Sequence, residues 1–260
     1  MRKARITAPH LSGPLTATVL ADGEKVAVGG QVLGPQEFSW QPPITGLVYG
    51  LLLNDRTALE QLGDKLLEPP YKALPKAPAL YIKPYNTQVG HLATVQLPKG
   101  AGQVEVGGTL GLVIAETACR VSESQAYEVI GGYTVVIDLS LPHQSLYRPP
   151  IREKCFDGAC PIGPWVVDRK DLSEPAQVVI RTYVNNEARC SWTLANLIRN
   201  IPQLIADVTE FITLLPGDVL LVGLPPEIPM AKAGDQLAVE ISGIGRLECR
   251  LAADEERQTA

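Results

Sequence analysis

The chain has 260 residues, of which 45% are hydrophobic and 20% charged, and this composition excludes a mostly disordered protein. The 23 basic and 28 acidic residues give a formal net charge of −5, which argues against nucleic-acid binding because phosphates favour a basic surface. The length suits one large domain, or a modest domain with an extra lobe. The 23 glycines and 22 prolines indicate many turns between short strands.

Targeting signals and metal-binding cysteine clusters are not evident in the sequence. No apolar run approaches the roughly 18 residues of a membrane span, and no continuous apolar stretch follows the basic N-terminus. The five cysteines are odd in number and widely spaced, and the three histidines are too far apart in sequence to complete a zinc site. We therefore expect reduced thiols, a cytoplasmic location, and no membrane partner.

The predicted elements begin with short β segments separated by Gly and Pro. These segments lie at 15–20, 25–28 and 31–33, followed by a connector at 38–43. We expect three parts: a small N-terminal β lobe at 1–45, a main domain at 46–252 and a polar tail at 253–260. The main domain opens with a buried strand at 47–53, a helix from about Thr57 to Leu67, and a strand at 79–82.

Strands outnumber helices in the rest of the chain. Further strands are predicted at 103–106, 110–115, 133–141, 165–167, 177–184, 188–192, 219–222, 236–241 and 246–251. Helices are predicted at 122–130 and, most clearly, from Thr193 to about Phe211, where Pro202 should kink or split the helix. Asn185-Asn186 indicates a hairpin. Because helices and strands do not alternate regularly, we expect a strand-rich α+β fold.

Two features carry possible chemistry, since the standard nucleotide-binding, nucleophile-elbow and zinc-protease motifs are missing from the sequence. Asp138 ends an apolar strand, where a carboxylate costs desolvation energy unless it pairs with or binds a cation. A capping or turn role is the alternative for this residue. Residues 147–158 place three cations near aromatic residues and turns. This segment is either a solvated loop or a pocket for an anionic, carboxylate-bearing substrate.

Four segments resemble the signature segments of the fumarylacetoacetate hydrolase superfamily, in the same order. Ala126–Ser140 reads Ala-Tyr-Glu-Val-Ile-Gly-Gly-Tyr-Thr-Val-Val-Ile-Asp-Leu-Ser, and Lys154–Trp165 is similar to the lysine segment of that family. Thr213–Pro225 and Ala233–Leu247 are similar to its Gly-Asp turn and its closing hairpin. Residues 70–76, 82–87 and 138–149 resemble one branch, the isomerase/decarboxylases of 4-hydroxyphenylacetate (homoprotocatechuate) degradation, and in particular their N-terminal half.

The resemblance implies a mixed β-sandwich or roll with few helices. It also implies a small dicarboxylate or tricarboxylate substrate, since that branch decarboxylates 5-oxopent-3-ene-1,2,5-tricarboxylate and isomerises 2-hydroxyhepta-2,4-diene-1,7-dioate through an enolate. Carried onto this sequence, it makes Lys154 and Asp138 catalytic candidates. The substrate-binding candidates are Arg148, Tyr147, Lys83 and Asn86.

The sequence departs from the superfamily at the metal site. Metal-dependent members carry a Glu-x-Glu where this chain has Gly107 and Thr109, so Asp138 alone remains of the three carboxylates. The family implies Mg²⁺ or another divalent cation, whereas one carboxylate makes a poor Mg²⁺ site, and no cofactor is certain. Ala58 stands where a lid histidine is expected.

Two classes of function remain open from the sequence. In the first, the chain is an enzyme in which Lys154 stabilises the developing oxyanion, Arg148 binds a distal carboxylate, and Asp138 positions Lys154 or acts as a base. In the second, it is a catalytically impaired partner of a paralogous, metal-bearing subunit. Another hydrolase or hydratase of the superfamily is a lesser alternative. The fused enzyme of this branch contains two such domains, so we expect a homo-oligomer or a hetero-oligomer with a paralogous subunit.

Overall fold

The computed structural model describes residues 1–9, 12–69, 72–73, 75–143 and 148–254. In chain order, its strands are β1 Arg2–Thr7, β2 Leu15–Val19, β3 Val26–Val28, β4 Gln31–Leu33, β5 Ser39–Gln41, β6 Val48–Leu52, β7 Ala79–Lys83, β8 Gln88–Val89, β9 Ala93–Gln96, β10 Val104–Ile114, β11 Ile130–Ser140, β12 Cys160–Asp168, β13 Val179–Val184, β14 Glu187–Thr193, β15 Val219–Leu221, β16 Met230–Ala231, β17 Gln236–Ile241 and β18 Gly245–Ala252. The α-helices are α1 Arg56–Leu62, α2 Ile151–Lys154 and α3 Ile201–Thr209. Single 3₁₀ turns lie at Gly63–Leu66, Tyr85–Thr87, Glu123–Gln125, Arg169–Asp171, Pro175–Gln177 and Leu194–Asn196.

The strands form two sheets. The larger one follows the order β4-β3-β2-β1-β12-β11-β10-β15-β6-β7, with β16, β5 and β8 paired onto β10, β1 and β12. The smaller one has the order β14-β13-β17-β18-β9. Most neighbours are antiparallel, but β15 and β6, β12 and β8, and β18 and β9 run parallel. The predicted strand-rich α+β fold with few helices is confirmed.

The main core lies where the two sheets pack face to face. Strands β10, β11 and β12 contact β13, β17 and β18. On β11, Val135, Ile137 and Leu139 are fully buried and alternate with residues of the opposite face. The indole Nε1 of Trp192 on the smaller sheet donates to the carbonyl of Gly108 on the larger sheet at 3.1 Å, and this hydrogen bond links the two sheets.

The first 45 residues extend the large sheet. Strand β1 pairs antiparallel with β12, with Arg2 opposite Val167, and β2, β3 and β4 continue from it. Strand β1 was not predicted, because most of its residues are charged or polar. Its two apolar residues, Ala4 and Ile6, are both buried. The division into a lobe at 1–45 and a main domain stays a prediction.

One helix is shorter than predicted, and a second predicted helix is replaced by a 3₁₀ turn. The helix predicted from Thr193 begins only at Ile201, because Pro202 occupies its first turn, where a missing N–H is tolerated. Asn200 caps it by accepting from the backbone N–H of Gln203 at 3.0 Å. The helix predicted at 122–130 is wrong: a single 3₁₀ turn lies at Glu123–Gln125.

Other boundaries follow local backbone chemistry. Asp55 accepts from the backbone N–H of Ala58 at 2.9 Å and starts α1, while Gly63, with φ of 48°, ends it before the predicted Leu67. The predicted strands 103–106 and 110–115 are one strand, β10. The predicted hairpin is confirmed, since Asn185 and Asn186 have φ of 53° and 64°. No helix within the described ranges is long and apolar enough to span a membrane.

The first prediction concerns the contact between the sheets at Gly108. A Cβ at this position would overlap the hydroxyl of Thr182 and lie 2.9 Å from a methyl group of Val239. We expect Gly108→Ala to lower the free energy of unfolding by about 1–3 kcal/mol, because overpacking forces the two sheets apart. The measurement is urea denaturation. Gly102→Ala is the matched control, since a Cβ there meets nothing within 4 Å; equal stability of the two variants would contradict the prediction.

The second prediction concerns His91. Its ring packs against Trp40, with centroids 5.6 Å apart, and its Nδ1 accepts from the backbone N–H of Glu248 at 3.0 Å. Burial lowers the pKa of His91 to about 4, although the Glu248 charge opposes this shift. The unfolded chain therefore binds a proton first, near pH 6.5, and stability is lost as the pH falls from 6.5 towards 4.

We expect this loss to amount to about 3 kcal/mol and to be absent in His91→Gln. Denaturant titrations at pH 7 and pH 4 measure it for both proteins. The same difference between the two pH values in the wild type and the variant would show that another group is responsible.

Candidate functional site

The site is built on the face of the large sheet that points away from the smaller sheet. Asp138 on β11 lies directly opposite Gly107 on β10, so both residues point to this face. The two positions at which the family resemblance implies glutamates are occupied differently here. A Cβ at Gly107 would lie 2.6 Å from a methyl group of Leu224, and the Thr109 hydroxyl donates to the Gly223 carbonyl at 2.6 Å.

Asp138 is surrounded by two lysines and a tyrosine. Its Oδ1 lies 2.6 Å from the Lys83 ammonium, and its Oδ2 lies 3.1 Å from the Lys154 ammonium. The Tyr81 hydroxyl donates to the same Oδ2, and the Lys154 ammonium lies 4.3 Å from the centre of the Tyr81 ring. Asp138, Lys83 and Lys154 are 1%, 0% and 3% exposed. We call these four residues the Asp138 cluster.

Local sequence explains why these side chains meet. Tyr81 and Lys83 are two residues apart on β7 and therefore share a face. Gly50 lies opposite Tyr81 on β6, and any side chain there would overlap the Tyr81 ring. Lys154 ends α2, which packs on β11. The cluster therefore depends on a glycine that leaves room for the tyrosine.

The hydrogen bonds of Lys83 identify its charge state. Its ammonium donates to the carbonyl oxygens of Leu139, Lys154 and Ala159, at 2.6, 2.8 and 3.1 Å. With Asp138 Oδ1 at 2.6 Å, four oxygen atoms surround this nitrogen, which suits the three N–H groups of an ammonium better than the two of a neutral amine. Burial lowers the pKa of Lys83, and the Asp138 charge opposes this effect. The geometry is that of a charged lysine.

The electrostatics of Asp138 and Tyr81 follow from the same contacts. Burial alone would raise the pKa of Asp138, but the charges of Lys154 and Lys83 hold it down at about 2. Burial and the nearby Asp138 carboxylate raise the pKa of Tyr81 well above its usual value. Asp138 is thus a carboxylate and Tyr81 a neutral phenol at pH 7. With both lysines charged, the cluster carries a net charge of +1.

A cavity of about 760 Å³ lies next to this cluster. Its wall consists of Leu51, Leu52, Leu53, Asn54, Asp55, Ala58, Gln61, Leu62, Lys65, Leu66, His143, Leu224, Pro225, Pro226 and Ile228. Leu224 contributes to this wall and also contacts Gly107, the residue opposite Asp138. The cavity is therefore separated from Asp138 by about one side chain.

The structure brings together three of the predicted site residues, namely Asp138, Lys154 and Lys83. Asn86 is exposed and binds the segment after Lys154, since its amide donates to the Cys155 carbonyl at 3.0 Å and to Asp157 at 2.9 Å. Arg148 is exposed. Tyr147 lies outside the described residues.

Sequence analysis missed Tyr81 and Leu224. Tyr81 could have been identified from the sequence, because the alternation of side chains along β7 places it on the same face as Lys83. No pattern in the sequence pointed to Leu224, since only the path of the chain after β15 brings this residue into contact with Gly107.

The donor set at Asp138 does not fit a divalent cation. Mg²⁺ needs oxygen ligands in octahedral geometry, but both Asp138 oxygens lie against ammonium groups, and Oδ2 also accepts from Tyr81. Gly107 and Thr109 supply no carboxylate. Within the part of the chain that the structure describes, no group of three His, Cys, Asp or Glu residues is arranged to hold a metal. We therefore derive no catalytic step through a metal in this chain.

The fold and this site define an α+β protein of the fumarylacetoacetate hydrolase type. The profile of the fumarylacetoacetate (FAA) hydrolase C-terminal family matches residues 47–252, and the chain belongs to this family. The chain is also 37% identical over 222 residues to the 4-hydroxyphenylacetate degradation bifunctional isomerase/decarboxylase of Salmonella dublin. That match covers 85% of this chain and 50% of the relative, so the chain spans about half the length of the curated relatives it matches.

Solved structures show the same fold. The 5-carboxymethyl-2-hydroxymuconate delta-isomerase from Mycobacterium smegmatis aligns with a TM-score of 0.83 at 29% identity, over 98% of this chain and 100% of that chain. The 2-hydroxyhepta-2,4-diene-1,7-dioate isomerase from Mycobacterium marinum aligns with a TM-score of 0.79 at 26% identity, with the same coverage. The resemblance to this family and to its isomerase/decarboxylase branch is confirmed.

The third prediction concerns the charge balance of the Asp138 cluster. We expect Asp138→Asn to lower the free energy of unfolding at pH 7 by about 3–5 kcal/mol, because it leaves two buried ammonium groups without a counter-charge. Denaturant titration measures the loss. Glu128→Gln, which removes an exposed carboxylate, is the matched control. Equal stability of the two variants would show that Asp138 does not neutralise the buried lysines.

Proposed function

We propose that the chain is one half of an isomerase/decarboxylase that acts on small di- and tricarboxylates in the degradation of 4-hydroxyphenylacetate. The substrates in this proposal are 5-oxopent-3-ene-1,2,5-tricarboxylate and 2-hydroxyhepta-2,4-diene-1,7-dioate. The similarity to the Salmonella dublin enzyme and to the two mycobacterial isomerases supports it. The cytoplasmic location expected from the cysteine pattern is part of the same proposal.

The observation that carries this proposal is the net positive charge of the buried Asp138 cluster beside the large cavity. Both reactions pass through an enolate, whose oxygen becomes negative in the transition state. A fixed cation next to that oxygen lowers the activation barrier, since the charge is already in place and does not have to reorganise during the reaction. Asp138 and the Tyr81 ring hold the Lys154 ammonium, which we assign to this task.

The other predicted residues take supporting roles in the proposal. The Lys83 ammonium is surrounded by three backbone carbonyls and Asp138, so we assign it to positioning Asp138 and not to substrate contact. Arg148 and Tyr147 follow β11 and are proposed to bind a distal carboxylate of the substrate. Asn86 supports the loop that follows Lys154.

A second candidate function is a non-catalytic partner of a paralogous, metal-bearing subunit. One observation favours it: Asp138, Lys83 and Lys154 are almost completely buried, so Lys154 offers almost no surface to a substrate. The length of the Salmonella dublin and Escherichia coli isomerase/decarboxylases supports an assembly in either case, because each of these enzymes has room for about two copies of this chain. The proposed assembly is a homo-oligomer or a hetero-oligomer with the paralogous subunit.

The experiment that separates the two functions uses the purified chain and the dienol 2-hydroxyhepta-2,4-diene-1,7-dioate. The enzyme proposal predicts isomerisation by the chain alone, at a rate that a chelator such as EDTA leaves unchanged. A lack of activity alone, with activity restored only when the paralogous subunit is added, would favour the non-catalytic partner. Activity that EDTA abolishes and Mg²⁺ restores would contradict the role given to Lys154.

The fourth prediction concerns Lys154. We expect Lys154→Met to lower kcat for isomerisation by about 10²–10³-fold, because it removes the cation that stabilises the enolate oxygen. Lys25→Met is the matched control, since Lys25 is exposed on the turn before β3. The measurement is the steady-state loss of dienol absorbance, with denaturation curves to confirm folding. A folded Lys154→Met variant with the kcat of the control would contradict the assignment.

A further inference from the structure

A second cavity, of about 540 Å³, lies near the start of β11, whereas Asp138 is near the end of that strand. Its lining residues are Tyr127, Tyr133, Arg169, Lys170, Leu172, Ser173, Glu174, Pro175, Ala176 and Gln177. Tyr133 precedes Asp138 by five residues, which is roughly 17 Å along the strand, and its side chain points to the opposite face. The two cavities share no lining residue. The second cavity is therefore separate from the Asp138 cluster.

The segment between β12 and β13 forms one wall of this cavity. It contains two 3₁₀ turns, at Arg169–Asp171 and Pro175–Gln177. Asp168 caps the first turn by accepting from the backbone N–H of Lys170 at 2.9 Å. Leu172 packs against the main core, and Pro175 at the start of the second turn is buried. Packed residues therefore hold the wall in place at both turns.

The opposite wall is aromatic. Tyr127 is half-buried, and Tyr133 is fully buried beneath the cavity. Burial and the nearby Tyr127 raise the pKa of Tyr133 to about 12, although the Arg169 charge opposes this shift, so Tyr133 is a neutral phenol at pH 7. Aromatic rings contact one another favourably in offset-stacked or edge-to-face arrangements. The surface of Tyr127, together with Leu172, therefore suits a flat, apolar ligand group.

The charged residues of the cavity are mainly basic. Arg169 and Lys170 line it together with one acidic residue, Glu174, which gives the lining a net charge of +1. Within the described ranges, neither of the two cations forms an ion pair with a carboxylate. The carboxylate of Asp171 in the same segment binds the Met1 ammonium. A guanidinium group without a carboxylate partner is suited to bind the carboxylate of a ligand through two parallel hydrogen bonds.

We propose that the second cavity binds a small aromatic monocarboxylate, with the ring against Tyr127 and Leu172 and the carboxylate on Arg169. The cavity volume lies in the range of about 300–1,000 Å³ that is usual for small-molecule sites. Such sites combine apolar and aromatic walls with a few polar groups that fix the orientation of the ligand. One carboxylate balances the net charge of the lining, so a monocarboxylate suits this cavity better than a dicarboxylate.

The fifth prediction tests this site with 3-phenylpropionate, whose two-carbon link separates the ring from the carboxylate. We expect the wild-type chain to bind it at pH 7, as measured by a saturation-transfer NMR titration. 3-Phenylpropanamide has the same shape without the charge and should bind at least ~10-fold more weakly, because it lacks the charge-assisted hydrogen bonds. 3-Cyclohexylpropionate should bind about 2–10-fold more weakly, because it has no aromatic ring.

Variants locate the bound probe. Arg169→Met should weaken binding of 3-phenylpropionate at least ~10-fold, whereas Arg169→Lys should retain part of the affinity because it keeps the charge. Arg189→Met, which removes an exposed arginine of β14, is the matched control and should bind like the wild type. Lys154→Met should also bind like the wild type, because the Asp138 cluster lies on the other face of β11. Denaturation curves confirm that each variant is folded.

Three results would overturn the proposal. The first is no binding of 3-phenylpropionate by the wild-type chain, and the second is equal binding of the acid and the amide. The third is binding that Lys154→Met weakens and folded Arg169→Met leaves unchanged, which would locate the probe at the Asp138 cluster. None of these measurements uses the dienol, so a chain that binds the probe through Arg169 but shows no isomerase activity would refute only the proposed function.

Discussion

The ion pairs between Asp138 and the two lysines are the interaction on which the rest of the site depends. A lone buried carboxylate near the end of an apolar strand would be strongly disfavoured, and two buried ammonium groups would be worse. Together they leave a net charge of +1, and the carbonyl groups of three residues also contact the Lys83 ammonium. Because Asp138 is the shared counter-charge of both lysines, Asp138, Lys83 and Lys154 have to be explained as a unit.

The same cluster accounts for the departure from the metal-dependent members of the family. Without glutamates at Gly107 and Thr109, the space beside Asp138 is filled by Leu224, and the positive charge is supplied by lysine. The ammonium group of a lysine lies at the end of a flexible side chain, and here Tyr81 and Asp138 restrict the side chain of Lys154. In the proposed function this lysine takes the place of the metal beside the enolate oxygen, although it cannot chelate two substrate oxygens as a metal does.

Local patterns in the sequence predicted most of the strands but fewer of the helix boundaries. Alternation and turn residues identified β11, β17 and the Asn185-Asn186 hairpin, because these features depend on neighbouring residues. The strand β1 was missed since its pairing with β12 is a long-range contact. The helix around Pro202 was predicted too long because its apolar stripe continues through residues that pack as a 3₁₀ turn and a connector.

Similar limits applied to the site. Asp138, Lys83 and Lys154 were identified from the family resemblance, but their burial and mutual contacts depend on how β7, β11 and α2 meet. The contact between Leu224 and Gly107, and the position of His143 on the cavity wall, are set by loops whose paths no local pattern specifies.

The central claim is that buried lysines, and not a metal, surround Asp138. Calorimetric titration of the purified chain with Mn²⁺ tests it most directly, with Asp138→Asn titrated in parallel. We expect no stoichiometric Mn²⁺ binding that depends on Asp138, so the two titrations should be the same. One equivalent of Mn²⁺ bound by the wild-type chain and lost in Asp138→Asn would contradict it.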